Sequence, residues 1–240
     1  GHTEAARADF TAAVELSPSD VAVRRNAAIF AYQANRYDDA LELFESLRDS
    51  PEAPDVRLHV AEIWRRQGRV SEAADLLSDV AQNSGDTKLA RTAGHALVAL
   101  WLEEGNVEEA RLLNTSMRHD NPEDIGCLID AATIERRADD VDHAVVYALE
   151  AQQLVNDETP RPEIIFLANE LYALEQFEAA VAMYEQVADD TRDGPLTRNL
   201  INSYYQAGRQ RECLDLCLKI IENGDDSEYV YQLAASIYSS

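Results

Sequence analysis

Apolar residues recur along this chain at helical offsets, and the offsets themselves repeat. The clearest instance is Trp101 to Pro122, WLEEGNVEEARLLNTSMRHDNP. It reads as the end of one helix, a turn at Gly105, a second helix and a proline stop. The matching turn residues are Gly1, Asn35, Gly68, Gly105, Asp139, Glu175 and Gly208, in steps of 34, 33, 37, 34, 36 and 33. Glycine and asparagine suit the left-handed backbone that ends a helix, and aspartate tolerates it; Glu175 fits poorly. Five residues after each turn stands a small residue: Ala6, Ala40, Ala73, Ala110, Ala144, Ala180 and Cys213. Small side chains there let the two helices of a hairpin cross closely. Seven residues further on come Ala13, Leu47, Val80, Met117, Ala151, Val187 and Ile220, all apolar. Three columns in step over seven units mark a repeat architecture.

The helix before each turn carries its own stripe. Ala27, Val60, Leu97, Ala131, Leu167, Leu200 and Leu233 are apolar, each followed by Ala, Val or Ile. A third column holds Ala31, Trp64, Trp101, Glu135, Leu171, Tyr204 and Ile237, broken only by Glu135. Those offsets put one apolar face on a 3.6-residue period. All seven prolines (Pro18, Pro51, Pro54, Pro122, Pro160, Pro162 and Pro195) fall where one hairpin hands over to the next. Acidic residues such as Asp38, Asp39, Glu72, Glu108, Glu109, Asp142 and Glu178 fill first turns of second helices, where they complement the positive helix end. The pattern predicts helices over 4–16, 21–33, 37–48, 55–67, 71–82, 87–104, 107–119, 124–138, 141–155, 162–174, 177–189, 195–207, 210–222 and 227–238. The extra residues between the third and fourth turns predict a longer second helix in one unit or a longer first helix in the next.

Composition changes this picture at three points. The 45 acidic and 21 basic residues give a formal charge of −24, which repels phosphates and anionic lipid. Nucleic acid is therefore excluded as a general partner. No apolar run approaches the ~18 residues needed to span a bilayer, so membrane insertion is excluded as well. The three cysteines are an odd count; Cys213 and Cys217 share a helical face at packing positions and behave as small hydrophobes. Unpaired thiols favour a reducing compartment and a cytoplasmic location. A periplasmic location is the alternative, because the chain opens at a turn and closes after a lone first helix. That layout predicts an excerpt of a longer protein, truncated mid-repeat at both ends.

These columns resemble the tetratricopeptide repeat (TPR) family over essentially the whole chain. The family's second-helix pattern of a small residue, an aromatic, Ala and Pro is matched by Ala6, Phe10, Ala13 and Pro18, and in the next unit by Ala40, Phe44 and Leu47. The family's early Trp is replaced by Arg24, Arg57, Gly94, Leu128, Ile164, Thr197 and Val230, and Asn114 and Ala148 replace the second-helix aromatic. The repeats are divergent. The resemblance implies an all-α fold, a right-handed α-solenoid of about seven helix-turn-helix units. Its expected layout is one array over 1–240: a half repeat over 1–20, units at 21–53, 54–87, 88–124, 125–158, 159–193 and 194–226, and a half repeat over 227–240.

In the resembling family, first helices line a concave groove. Carried over by helix position, its early part holds Arg25, Asn26, His59, Glu62, Arg65, Arg66, His95, Asp130, Arg136 and Arg137. Its later part holds Phe166, Asn169, Tyr172, Arg198, Asn199, Asn202, Tyr205, Tyr231 and Gln232. The arginines suit paired charge-assisted bonds to carboxylates, or simply neutralise neighbouring acids. The amides suit an extended peptide backbone, and the tyrosines supply contact area. Arg198 and Asn202 match only part of the family's clamp for acidic chaperone tails. His59, Glu62 and His95 could converge as a metal trio, but ordinary groove-lining polar residues explain them far better. No Gly-rich phosphate loop and no nucleophile–base arrangement is present, so no enzyme, cofactor or metal is expected. The expected function is a protein-interaction scaffold or adaptor holding a peptide or protein in the groove. Two alternatives remain: the regulatory or substrate-recruiting arm of a larger enzyme, and a periplasmic scaffold of an export system.

Overall fold

The structure, a computed structural model, describes residues 12–14, 16–50, 53–188, 194–224 and 227–238. Every regular element among them is an α-helix, with no strand. Thirteen are bounded: α1 (Val21–Gln33), α2 (Tyr37–Glu45), α3 (Val56–Arg66), α4 (Val70–Asn83), α5 (Thr87–Glu103), α6 (Val107–Asp120), α7 (Ile125–Arg137), α8 (Val141–Leu154), α9 (Arg161–Ala173), α10 (Phe177–Tyr184), α11 (Pro195–Gln206), α12 (Gln210–Glu222) and α13 (Glu228–Tyr238). The turn at Gly1, the column residues Ala6 and Phe10, and Pro51 lie outside the described residues. None of the helices is long and apolar enough to cross a membrane.

The hairpin turns follow from backbone chemistry. Asn35, Gly68, Gly105, Asp139, Glu175 and Gly208 all take positive φ, between 59° and 80°. At each turn the next residue's N–H reaches back five positions to the preceding helix. Arg36, Arg69, Asn106, Asp140, Gln176 and Arg209 donate to the carbonyls of Ala31, Trp64, Trp101, Glu135, Leu171 and Tyr204 at 2.8–2.9 Å. This closes the helix ends in the Schellman manner. The six accepting residues are the third column of the first helices. Glu135 breaks that column's side-chain pattern while keeping its backbone role.

Side-chain packing obeys the same columns. Ala40, Ala73, Ala110, Ala144, Ala180 and Cys213 are all 0% exposed. Trp101, Met117, Leu233 and Ile237 are half-buried rather than buried. Asp20, Asp86, Asp124 and Asp140 cap α1, α5, α7 and α8 through their carboxylates. Pro162 and Pro195 stand in the first turns of α9 and α11, where no amide hydrogen is needed. The extra residues between the third and fourth turns lengthen α5, at 17 residues against 11 in α3. Two second helices stop early, α2 at Glu45 and α10 at Tyr184. Beyond them the backbone tightens into three-residue turns, Leu47 N–H to Phe44 O at 2.9 Å and Val187 N–H to Tyr184 O at 3.0 Å.

The chain divides into two compact units, Gly1–Leu113 and Asn114–Ser240, the division falling within α6. In the first unit α1 packs on α2, α2 on α3, α3 on α4 and α4 on α5. Phe44, Val60, Ile63, Leu97 and Leu100 lie at the centre of its core. In the second, α7 packs on α8 and α9, and the chain continues pairwise to α13. Its core is built on Leu128, Leu167, Leu171, Tyr184, Ile201 and Ile220. Apolar stripes too narrow to be buried within one helix are thus covered by the next hairpin.

Candidate functional site

In the first unit the expected contact residues stand on α1, α3 and α5, and the arginines among them are paired. Arg25 of α1 makes a two-pronged contact with Asp55, Nε to Oδ1 at 3.1 Å and Nη2 to Oδ2 at 2.5 Å. Arg65 grips Glu62 through Nε at 2.7 Å and Nη2 at 2.9 Å, and reaches Glu103 through Nη1 at 2.7 Å. Arg66 donates to Glu62 at 2.6 Å and to the Tyr37 hydroxyl at 3.0 Å. Its guanidinium also lies over the Tyr32 and Tyr37 rings, 5.9 and 5.5 Å from their centroids. Burial pushes the Glu62 carboxyl up, but its bonds from Arg65 and Arg66 outweigh that and hold it below the usual range. Asp55 behaves likewise, burial being overcome by Arg25.

His59 stacks on Phe44, ring centroids 5.0 Å apart and planes within 10°. Its pKa is lowered, first by burial and further by Arg25, with Asp55 opposing. Asn26 is exposed and His95 half-buried. His59, Glu62 and His95 do not form a ligand group among the described residues. Glu62 instead gives both its oxygens to arginines.

The second unit presents a different surface on α9, α11 and α13. Phe166, Tyr205 and Tyr231 are 64%, 45% and 48% exposed. Burying such rings on a partner would recover much apolar area. Two of the same helices, α9 and α11, also carry a set of amides. Asn169 accepts from the Tyr184 hydroxyl at 2.6 Å and from Asn199 Nδ2 at 3.2 Å. Asn202 accepts from the Tyr229 hydroxyl at 2.5 Å, and Arg198 lies over the Tyr229 ring at 5.4 Å. Burial pushes Tyr184 up to about 12, so it remains a neutral donor across physiological pH. Each asparagine has four hydrogen-bonding sites, and these contacts use one or two. The amides are oriented without being saturated. Tyr172 is half-buried, edge-on to Phe177 at 5.5 Å, and Gln232 donates to Glu228 at 2.7 Å.

Arg136 and Arg137 part company. Arg136 Nε and Nη2 meet Glu170 at 2.6 and 3.1 Å, and the Glu170 side chain is only 8% exposed. Arg137 is exposed and has no ion pair among the described residues. Asp130 is half-buried. Cys213 and Cys217 are buried free thiols, and their mutual contact with burial holds Cys213 protonated.

Glu170, Asp55, Glu103, Tyr184 and Tyr229 matter to these surfaces and escape a reading by helix position alone. A signal for three of them exists. Arg25–Asp55, Arg136–Glu170 and Arg65–Glu103 are 30, 34 and 38 residues apart. An acid about one repeat beyond an arginine marks a tie between successive units.

Profiles of the tetratricopeptide repeat match residues 1–54 and 31–99. No curated protein matches this sequence. Among solved structures, a tetratricopeptide repeat protein from Parabacteroides merdae is 14% identical with a TM-score of 0.58, over 98% of this chain and 92% of its own. Yeast Tom70 is 13% identical with a TM-score of 0.60, over 99% of this chain and 58% of its own. The APC/C hetero-tetramer Cut9-Hcn1 gives 14% and 0.57, over 99% of this chain and 46% of the matched one. At these identities the likeness is one of fold.

Proposed function

We propose that this chain, a member of the tetratricopeptide-repeat family, is a protein-interaction scaffold whose partner lies along α9, α11 and α13. The observation that carries the reading is the pairing of three exposed rings, Phe166, Tyr205 and Tyr231, with amides already held by hydrogen bonds. Exposed aromatics supply binding energy when a partner desolvates them, and pre-oriented amides lower the ordering cost. Asn169, Asn199 and Asn202 then meet backbone groups of an extended segment, Tyr172 borders them, and Arg198 answers a carboxylate or carbonyl. Arg25, Arg65, Arg66 and Arg136 serve here as ties between repeats, and Arg137 as a peripheral contact. The reading requires no catalytic group. That a structural neighbour stands in a hetero-tetramer supports a protein as partner.

The test is affinity capture from native lysate with mass spectrometry, comparing the wild type with Phe166→Ala/Tyr205→Ala/Tyr231→Ala. An Arg65→Glu/Arg66→Glu variant serves as control. All three side chains of the triple variant are solvent-exposed, so its circular dichroism and melting midpoint should match the wild type. Loss of a partner from the triple variant alone is the expected result. A partner held equally by wild type and triple variant, or released only by the arginine variant, contradicts the proposal.

A further inference from the structure

The carboxylates of this chain outnumber the cations that could answer them, and the excess is visible helix by helix. On α2 Glu42 stands one turn from Asp38, Asp39 and Glu45, and on α4 Asp75 stands one turn from Glu72 and Asp79. Like charges at these spacings repel. Most of the flanking acids are relieved, Asp39 by Arg36, Glu45 by Arg48 at 3.2 Å, Glu72 by Arg69 at 2.8 Å and Asp79 by Arg57 at 2.6 Å. Glu42 and Asp75 are exposed and have no ion pair among the described residues. The same holds for Glu104 after α5, Glu150 on α8, Asp157 in the link that follows α8 and Glu222 at the end of α12.

Dissolved salt acts on attraction and repulsion alike, so the balance between them decides its effect. The screening length falls from about 30 Å at 0.01 M to about 3 Å at 1 M, shorter than the distance between neighbouring turns. The attractions have little to lose. Arg25–Asp55 and Arg65–Glu103 are half-exposed pairs of small worth, and the Glu170 carboxylate held by Arg136 is too buried for ions to screen well. The repulsions have more to lose, because 45 acids face 21 cations and the net charge of −24 pushes the compact state apart.

We infer that this protein works in concentrated monovalent salt and that its fold is conditional on it: salt closes the fold, and dilute buffer loosens it. The aromatic and amide face suits that setting, since rings and amides keep their worth where charged clamps are screened, and α11 has no carboxylate at all. The inference stands if that face is not where a partner binds.

The test follows thermal unfolding of the whole chain by circular dichroism in 0.01 M and 1 M potassium chloride. It compares the wild type with Glu42→Gln/Asp75→Asn/Glu104→Gln/Glu150→Gln/Asp157→Asn/Glu222→Gln, six changes at exposed positions. The wild type's melting midpoint should rise by about 5 °C or more between the two salts. Self-repulsion grows roughly as the square of net charge, so at about −18 the variant's rise should be about half as large. In 0.01 M salt the variant should also melt above the wild type. A wild-type midpoint that is flat or falls with salt would mean that the ion pairs outweigh the repulsion. A variant that keeps the full rise would assign it to salt acting on apolar surface. Either result overturns the inference.

Discussion

On the first unit's first helices Arg25, Arg65 and Arg66 are tied to Asp55, Glu62 and Glu103, whereas on the second unit's the asparagines bond to one another and to tyrosines. The first surface is rich in cations and has spent them on its own acids. The second ties Arg136 of α7 to Glu170 in the same way, but along α9, α11 and α13 it keeps open donors, acceptors and rings. The difference has a simple origin. In a chain with 45 acidic and 21 basic residues, an arginine meets a carboxylate before it meets a partner. Guanidinium-rich stretches of an acidic protein are therefore poor markers of an anion site, while amide-rich stretches keep their capacity.

The largest effect should come from overpacking a helix crossing. Ala144→Trp, at a position 0% exposed between α7 and α8, should cost about 3 kcal/mol or more. Hydrogen exchange should show protection lost first from α7 to α10. Loss spread evenly through both units would contradict separate cores.

Next comes a pair of substitutions that sets the two surfaces against each other. Arg136→Leu strands the buried Glu170 carboxylate and should lower unfolding free energy by about 3 kcal/mol in urea titrations. Arg25→Leu removes a half-exposed pair and should cost about 1 kcal/mol. Equal losses would mean that burial does not distinguish these ties.

A smaller effect tests whether self-pairing is what closes the first surface. Glu62→Gln releases Arg65 and Arg66 from their shared carboxylate, so an oligoglutamate peptide should bind the variant several-fold more tightly, by about 1 kcal/mol. Unchanged affinity in fluorescence anisotropy would assign the closure to something else.

The smallest effect is a pH dependence confined to the first unit. Burial lowers the folded pKa of His59 below its ordinary 6.5, so the unfolded chain takes up the proton more readily. Stability from this group is present above that value and is lost as pH falls through the folded pKa. Between about pH 7.5 and 5.5 the wild type's melting midpoint should fall further than that of His59→Phe, which keeps the stacking on Phe44. Parallel falls would remove His59 as the cause.

The fold was legible because the repeat imposes backbone demands that few residues meet. All six described turns of the predicted column take the left-handed conformation, including Glu175, the poorest candidate. Neighbouring turns enforce a geometry that the residue itself disfavours. The shortened α2 and α10 were not legible, since apolar spacing is nearly the same in a tight turn and in a last helical turn. The helix that carries each candidate could be read from the sequence. Its state of engagement could not, because Arg25 reads the same in sequence whether Asp55 is 2.5 Å away or pointing elsewhere. Glu170 was missed because a buried acid has no local signature; only its arginine, 34 residues earlier, explains it.

Three turns, at Asn35, Asp139 and Glu175, hold a side chain where Gly68, Gly105 and Gly208 bear none. A bulky residue in this conformation costs roughly 1 kcal/mol, partly offset by the greater freedom glycine gives an unfolded chain. Removing the side chain at such a turn should therefore raise the melting midpoint slightly. Glycine at position 175 is the first place where a heat-resistant version could be built without touching either surface.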